Sequence, residues 1–455
     1  MKSRLLTILL ALTFCLEFCS CNTIEQGSDE RVEKVAVTLV FGDGTNGTQV
    51  VEVEKGKQTR EPAYIPVKTG YTFAGWCTDE AATIPFDFDN TVVDRELTLY
   101  AAYSRDIVLT DKGKVARVTG ASLAGESLAN PNNTHQRWNL GGTDLGIIWE
   151  MGNGEYGILF GDSYGSDFKP VGGGPGAASD WRSNVLAFSE NTDLDNGLKF
   201  KSMLVNKYRP DRALPVIERE NYFSFTYIPT AAVELNGKQY MHYMYWEVGN
   251  AIRADQNYSS IYCSEDYGQT WSSCRGKISF DTDSYFAMAG YAKKPGDEYC
   301  YMLGAQSGRG YRRSTAKLAR FKYDNILNKT EYEFWNGGKR EWIKGKESQA
   351  TTVLEGTVGE LSVMYLEEYD RFLALYFDSE EYAICYRSAA RMQGPWSKER
   401  VLCSGRNSKY AQLYGSYIHP LSAKKGSSTI YWTMSQWQPY NVFFMKADVK
   451  YAPEY

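Results

Sequence analysis

Residues Gly142 to Tyr164 read GTDLGIIWEMGNGEYGILFGDSY. Two runs rich in β-branched and aromatic side chains, Leu145–Trp149 and Tyr156–Phe160, flank the turn cluster Gly152-Asn153-Gly154. Such runs on either side of a glycine-rich turn predict a β-hairpin. Folding that hairpin at Asn153 sets Asp144 opposite Asp162 at its open end. Directly opposed Cβ atoms lie about 4.5–5.5 Å apart. Two carboxylates that close repel, which favours protonation of one. An acid beside a base is what cleavage of a glycosidic bond requires. The competing reading is structural: Asp144 caps a turn before a strand, and Asp162 in Gly-Asp-Ser makes an Asx turn.

Hairpins of this kind recur every 50–70 residues along 105–455. The second unit holds Thr230–Leu235, Gln239–Trp246 and Ser260–Cys263, with Asn236-Gly237 as its turn. The third holds Tyr285–Tyr291, Glu298–Leu303 and Lys317–Tyr323, and the fourth Leu361–Tyr365, Phe372–Tyr376 and Tyr382–Tyr386. The fifth holds Tyr417–Leu421, Thr429–Ser435 and Val442–Ala447. Val185–Phe188 completes the first, and Val115–Val118 is a candidate to close a ring. Five such units predict an all-β chain built as a five-bladed β-propeller, with a β-sandwich as the competing architecture. Ser264-Glu265-Asp266-Tyr267-Gly268-Gln269-Thr270-Trp271 fits the S-x-D-x-G-x-T-W pattern of an Asp box, whose Asp caps a hairpin turn and is not catalytic.

Propellers bind ligands at the mouth of the central channel, so residues near the innermost strands are the candidates. Asp144 and Asp162 come first, and Glu360, after Gly359 at the start of the fourth unit, is a third carboxylate. Arg182 and Asn184 follow a glycine-rich loop, Gly172–Gly176, and are candidate contacts for sugar hydroxyls. Trp437 and Tyr440, after the fifth unit's middle strand, are candidate stacking platforms. Each has a bland alternative: a surface charge, a surface loop, or packing between blades.

Composition narrows the function. A net charge of −5 over 455 residues argues against a nucleic-acid partner. The three histidines, His135, His242 and His419, share no short metal-binding spacing, so neither metal nor other cofactor is expected. Six cysteines follow Cys21 with no C-x-x-C, and read as buried thiols; Cys263 and Cys274 would be the first pair to bond.

The chain opens with Lys2 and Arg4, then an apolar run from Leu5 to Leu16, too short to span a bilayer. Residues 1–21 therefore read as a secretory signal ending in Ser20-Cys21, which resembles a lipobox. Cys21 is the expected lipid attachment, tethering the protein to the outer membrane, at the cell surface. Residues 22–34 are a polar tether. Residues 35–104 form a separate β module around Gly70-Tyr71-Thr72-Phe73-Ala74-Gly75-Trp76. That segment resembles the internalin-type B-repeat, or Listeria–Bacteroides repeat, which implies a small β-grasp-like unit with spacer or adhesive duty. Tyr71, Phe73 and Trp76 are either its core or a binding patch, and a single copy favours a spacer.

One set of motifs is more specific than any single one: Thr143-Asp144-Leu145-Gly146, Phe160-Gly161-Asp162-Ser163, Trp181-Arg182-Ser183-Asn184, Gly359-Glu360-Leu361-Ser362-Val363, Tyr414-Gly415-Ser416-Tyr417-Ile418-His419-Pro420 and Ser435-Gln436-Trp437-Gln438-Pro439-Tyr440-Asn441. Together they resemble, over about residues 110–450, a bacterial propeller family long labelled a domain of unknown function, some of whose members are endo-D-arabinanases. The resemblance implies a glycoside hydrolase cleaving α-linked D-arabinofuranose chains, with the acidic residues of the first blade as catalysts. Ser163 stands where many relatives are expected to have Thr. A monomer with a polysaccharide substrate is the expectation. The alternative is a non-catalytic glycan-binding or adhesion lipoprotein, which needs aromatics and amides but no close carboxylates. A sialidase, suggested by the Asp box, would need an arginine cluster and a Tyr–Glu pair that the sequence does not assemble.

Overall fold

The computed structural model describes residues 32–169, 180–218, 225–247, 257–306 and 314–453. The leader with Cys21 and the loop Gly172–Gly176 lie outside the described residues.

Five antiparallel sheets form the blades of a propeller. Blade 1 runs outward as Leu145–Glu150, Tyr156–Phe160, Val185–Ser189 and Ser202–Met203. Blade 2 starts with Phe225–Leu235, Lys238–Glu247 and Tyr258–Ser264, blade 3 with Met288–Lys293, Tyr299–Ala305 and Ala316–Lys322. Blade 4 is Leu361–Leu366, Arg371–Asp378, Ala383–Ala389 and Arg400–Ser404. Blade 5 is Leu413–Ile418, Thr429–Gln436 and Asn441–Tyr451, completed by Ile107–Arg117. That last strand pairs antiparallel with Asn441–Tyr451, from Ile107↔Tyr451 to Arg117↔Phe443, so the two ends of the propeller share one sheet and the ring is closed. The five innermost strands each touch the next around the channel.

Two expectations shift. The closing strand begins eight residues earlier than Val115. The innermost strand of blade 5 is Leu413–Ile418, not Tyr417–Leu421, because Pro420 opens a 3₁₀ turn, Pro420–Ala423, capped by the His419 ring accepting from Leu421 N.

Second strands such as Tyr156–Phe160 and Arg371–Asp378 are buried at every position. A blade wedged between two others hides both faces, which is why these segments read as continuous apolar runs rather than alternating ones. Packing across blades is specific. The Trp149 ring lies over Gly157 so closely that a Cβ there would come within 2.3 Å of it. The Trp149 indole N–H then donates to Gln239 Oε1 of blade 2 at 2.8 Å, and Gln239 Nε2 returns a bond to Met151 O at 3.0 Å. The Asp box is a turn brace: Asp266 accepts from Thr270 N at 2.9 Å and Thr270 Oγ1 at 2.6 Å.

The N-terminal module is a four-stranded sheet in the order Thr48–Glu54, Lys34–Val40, Leu97–Arg105, Tyr71–Cys77. Phe73 and Trp76 are 2% exposed and form its core with Leu39 and Leu99. The module is no free spacer. Arg371 of blade 4, fully buried, donates to Ser104 Oγ at 2.8 Å and Thr72 Oγ1 at 2.8 Å, and pairs with Asp106 at 3.1 Å. Glu61 pairs with Arg340 of blade 3 at 2.7 Å and Arg391 of blade 4 at 2.9 Å.

Candidate active site

All innermost strands run the same way along the channel, so residues just before them gather at one mouth. Asp144 immediately precedes Leu145–Glu150, and Glu360 immediately precedes Leu361–Leu366. Asp162 follows Tyr156–Phe160, which runs the opposite way, and so returns to the same end. Thr226 near the start of the blade 2 strand, Tyr414 near the start of the blade 5 strand, and Trp437 just after Thr429–Gln436 complete the ring.

The simple cross-strand pairing of Asp144 with Asp162 does not hold. Leu145 and Gly146 take positive φ angles of 70° and 88°, and the ladder slips by one between Leu145↔Phe160 and Ile147↔Leu159. Asp144 therefore faces Gly161, whose N–H donates to Asp144 O at 3.2 Å. The register recovers at Gly142↔Tyr164, and Thr143 Oγ1 meets Ser163 Oγ at 2.8 Å. Asp162 is thus the extra residue of a bulge, a device that re-aims a side chain. It accepts from Thr226 Oγ1 of blade 2 at 2.7 Å.

Asp144, only 4% exposed, accepts from Tyr414 Oη of blade 5 at 3.0 Å. Its Oδ1 crowds Gly161, where a Cβ would stand 2.4 Å away. Both carboxylates still act on one neighbourhood. Burial first, then the nearby charges of Asp162 and Asp144, push the Tyr164 phenol above its usual value. Burial, Asp144, Tyr414 and Asp162 do the same for Tyr440. These phenols stay protonated and keep a hydrogen to donate.

Glu360, 7% exposed, lines a small channel cavity with Leu145, Ile228 and Tyr417. It therefore shares the mouth with Asp144. Trp437 is 42% exposed and stands edge-on to Tyr440 at 5.7 Å, an open aromatic face beside the carboxylates.

Three expected substrate contacts are corrected. Arg182 is 3% exposed and ties loops together, donating to Ala213 O at 3.0 Å and Asn139 O at 2.7 Å. Asn184 is fully buried, donating to Tyr227 O and accepting from Val216 N and Ile217 N. Tyr440 is 2% exposed and packs against Tyr164 and Phe168. Arg and Asn beside a glycine-rich loop suit a sugar site, but here both satisfy backbone groups of neighbouring segments, at Asn139, Ala213, Val216, Ile217 and Tyr227. Sequence reasoning missed Tyr414, Tyr164 and Thr226. Tyr414 opens one of the motifs and Tyr164 ends the hairpin stretch 142–164, whereas nothing local marks Thr226.

Among the described residues no cluster of three or more His, Cys, Asp or Glu side chains is placed to hold a metal ion. His242 and His419 are fully buried, His242 bonded to Tyr291 Oη at 3.1 Å and Ala287 O at 3.2 Å. The six described cysteines carry free thiols.

Residues 129–446 match the family DUF4185, a domain of unknown function, and residues 38–102 match the Listeria–Bacteroides repeat domain. The chain belongs to the DUF4185 family. It is similar to notoamide biosynthesis cluster protein J of Aspergillus sp. strain MF297-2, with 26% identity over 72% of this chain and 89% of that protein. Among solved structures it resembles a family 117 glycoside hydrolase from Zobellia galactanivorans, with 12% identity, a TM-score of 0.41, and coverage of 76% of this chain and 90% of that one. It also resembles a GH43_1 enzyme from Xanthomonas citri, with 12% identity, a TM-score of 0.40, and coverage of 70% and 89%.

Proposed function

We propose that the protein is a glycoside hydrolase that cleaves polysaccharide at the propeller mouth, acting within chains of α-linked D-arabinofuranose. The observation that carries this reading is the pair of Asp144 and Asp162 at one mouth, each held by a hydroxyl donor from a different blade. One carboxyl protonates the leaving glycosidic oxygen. The other activates water or attacks the anomeric carbon. Glu360 adds a third carboxylate within the same channel. Trp437 offers a ring for a sugar to stack on. The choice of substrate is supported by the resemblance of the motif set of blades 1, 4 and 5 to a family some of whose members are endo-D-arabinanases. A lipid on Cys21 would place the enzyme on the outer membrane, facing an extracellular polymer.

The second reading is a glycan-binding or adhesion protein. It is favoured by the exposed Trp437 but leaves the two carboxylates without a task. Incubating the protein with arabinan, arabinogalactan, xylan and sialosides, and analysing the products, separates the two. Shortened arabinan chains with new reducing ends support hydrolysis. Retention of arabinan without cleavage supports the binding protein.

A further inference from the structure

An open groove of about 1070 Å³ lies between the N-terminal module and blades 3 and 4. The turn from Lys294 to Glu298 that lines it follows the far end of the innermost strand Met288–Lys293. The groove therefore opens on the side of the propeller opposite to the mouth holding Asp144. One wall carries Asp89 of the module; the other carries the half-buried rings of Tyr299 and Trp342.

Those rings are fixed. Arg320 places its guanidinium carbon 4.2 Å from the Tyr299 ring centre and 4.3 Å from that of Trp342. It is held there by Glu333 at 2.6 Å and Asp89 at 3.4 Å. Glu298 pairs in turn with Lys322 at 3.0 Å. Five carboxylates and four cations line the groove, so its charges nearly cancel. All four cations are paired, Arg320 and Lys322 within the groove, Lys294 with Asp370 and Arg391 with Glu61, while Asp87 and Asp297 accept from neutral donors. An anionic ligand finds no unpaired cation there. What remains on offer is aromatic surface ringed by donors and acceptors, which is what a neutral, hydroxyl-rich chain uses.

We propose that this groove is a second carbohydrate site, holding a neutral stretch of polysaccharide against Tyr299 and Trp342 while the acid pair works at the other face. The inference rests on the glycan reading above and deepens it. A short oligosaccharide cannot span both faces, so the groove affects polymers alone.

The test uses the full chain carrying Asp162→Asn to stop turnover, run on native gels containing arabinogalactan or linear arabinan. Glu298 and Gln393 also line the groove. Tyr299→Ala, and separately Glu298→Ala with Gln393→Ala, which leaves the packed rings in place, should each weaken retardation about five-fold, the loss of roughly one aromatic or polar contact. The Glu298→Ala/Gln393→Ala pair in the otherwise wild-type chain should cleave a short arabino-oligosaccharide at the normal rate. Unchanged retardation in both groove variants overturns the proposal, as does retardation lost only with Trp437→Ala. If the wild-type chain cleaves the oligosaccharide but neither polymer retards the inactive parent, the second site is wrong and the hydrolase reading stands. If it neither cleaves nor is retarded, both fall.

Discussion

The Tyr414 hydroxyl donates to Asp144 Oδ2 at 3.0 Å, so the fifth blade holds a carboxylate of the first. The bond crosses the seam where the innermost strands of the two blades meet. Tyr414→Phe removes the donor and little else. A hydrogen bond to a charged group contributes about 1.5–3 kcal/mol. The variant should lose about 10–100-fold in kcat/KM, with one limb of the pH–rate profile displaced and the melting temperature lowered, since a buried carboxyl loses one of its donors. An unaltered pH profile would show that the tyrosine only packs.

Asp144→Asn and Asp162→Asn keep shape while removing proton transfer. Each should lower kcat by about 10²–10⁴-fold, and the double variant should be little worse than either, since the two act as one unit. Glu360→Gln is the comparison. If Glu360→Gln is the dead variant and either Asp variant turns over normally, the fourth blade supplies the acid.

Glu61 bridges the N-terminal module to two arginines, Arg340 and Arg391, and is 7% exposed. Glu61→Ala leaves two cations at a buried junction, and breaking a buried pair costs about 3–5 kcal/mol. Calorimetry should show a lower melting temperature in a single transition. Deleting residues 35–104 should destabilise the propeller as well, because the buried Arg371 would lose Thr72 and Ser104 and keep only Asp106 as its charged partner. An undiminished propeller transition would restore the independent spacer.

Burial, only partly offset by backbone bonds at Ala287 and Phe286, lowers the pKa of His242 from 6.5 to about 4. The folded state thus prefers the neutral ring. Its contribution to stability is complete above about pH 6.5 and is lost as pH falls toward about 4, where the unfolded chain binds more protons. His242→Gln should flatten the loss of stability between those pH values, measured by urea unfolding.

Cys21→Ala tests the anchor, which rests on Ser20-Cys21 after the apolar run. The variant should move from the membrane fraction to the soluble one; persistence in the membrane would rule out the lipid.

Much of the fold was legible because its signals are local. Glycine turns such as Asn236-Gly237 and apolar runs such as Tyr156–Phe160 specify hairpins through backbone preference and side-chain period alone. The same holds for the Asp box, whose bonds lie within eight residues, and for the Phe73 and Trp76 core of the module. The positions of Asp144, Asp162 and Glu360 near innermost strands followed from that hairpin count.

The tertiary structure decided what depends on distant chain. The bulge at Leu145-Gly146 sets Asp144 against Gly161 and turns Asp162 to Thr226, which is 64 residues away. Arg182 and Asn184 look like ligands until the fold brings Ala213, Asn139 and Tyr227 to them. Arg371 and Glu61 look like surface charges until the module docks. A local pattern determines how a strand pairs with its neighbour, because turn geometry and periodicity are properties of adjacent residues. Which polar group meets which across a ring of five blades depends on long-range closure, and only the packed molecule sets it.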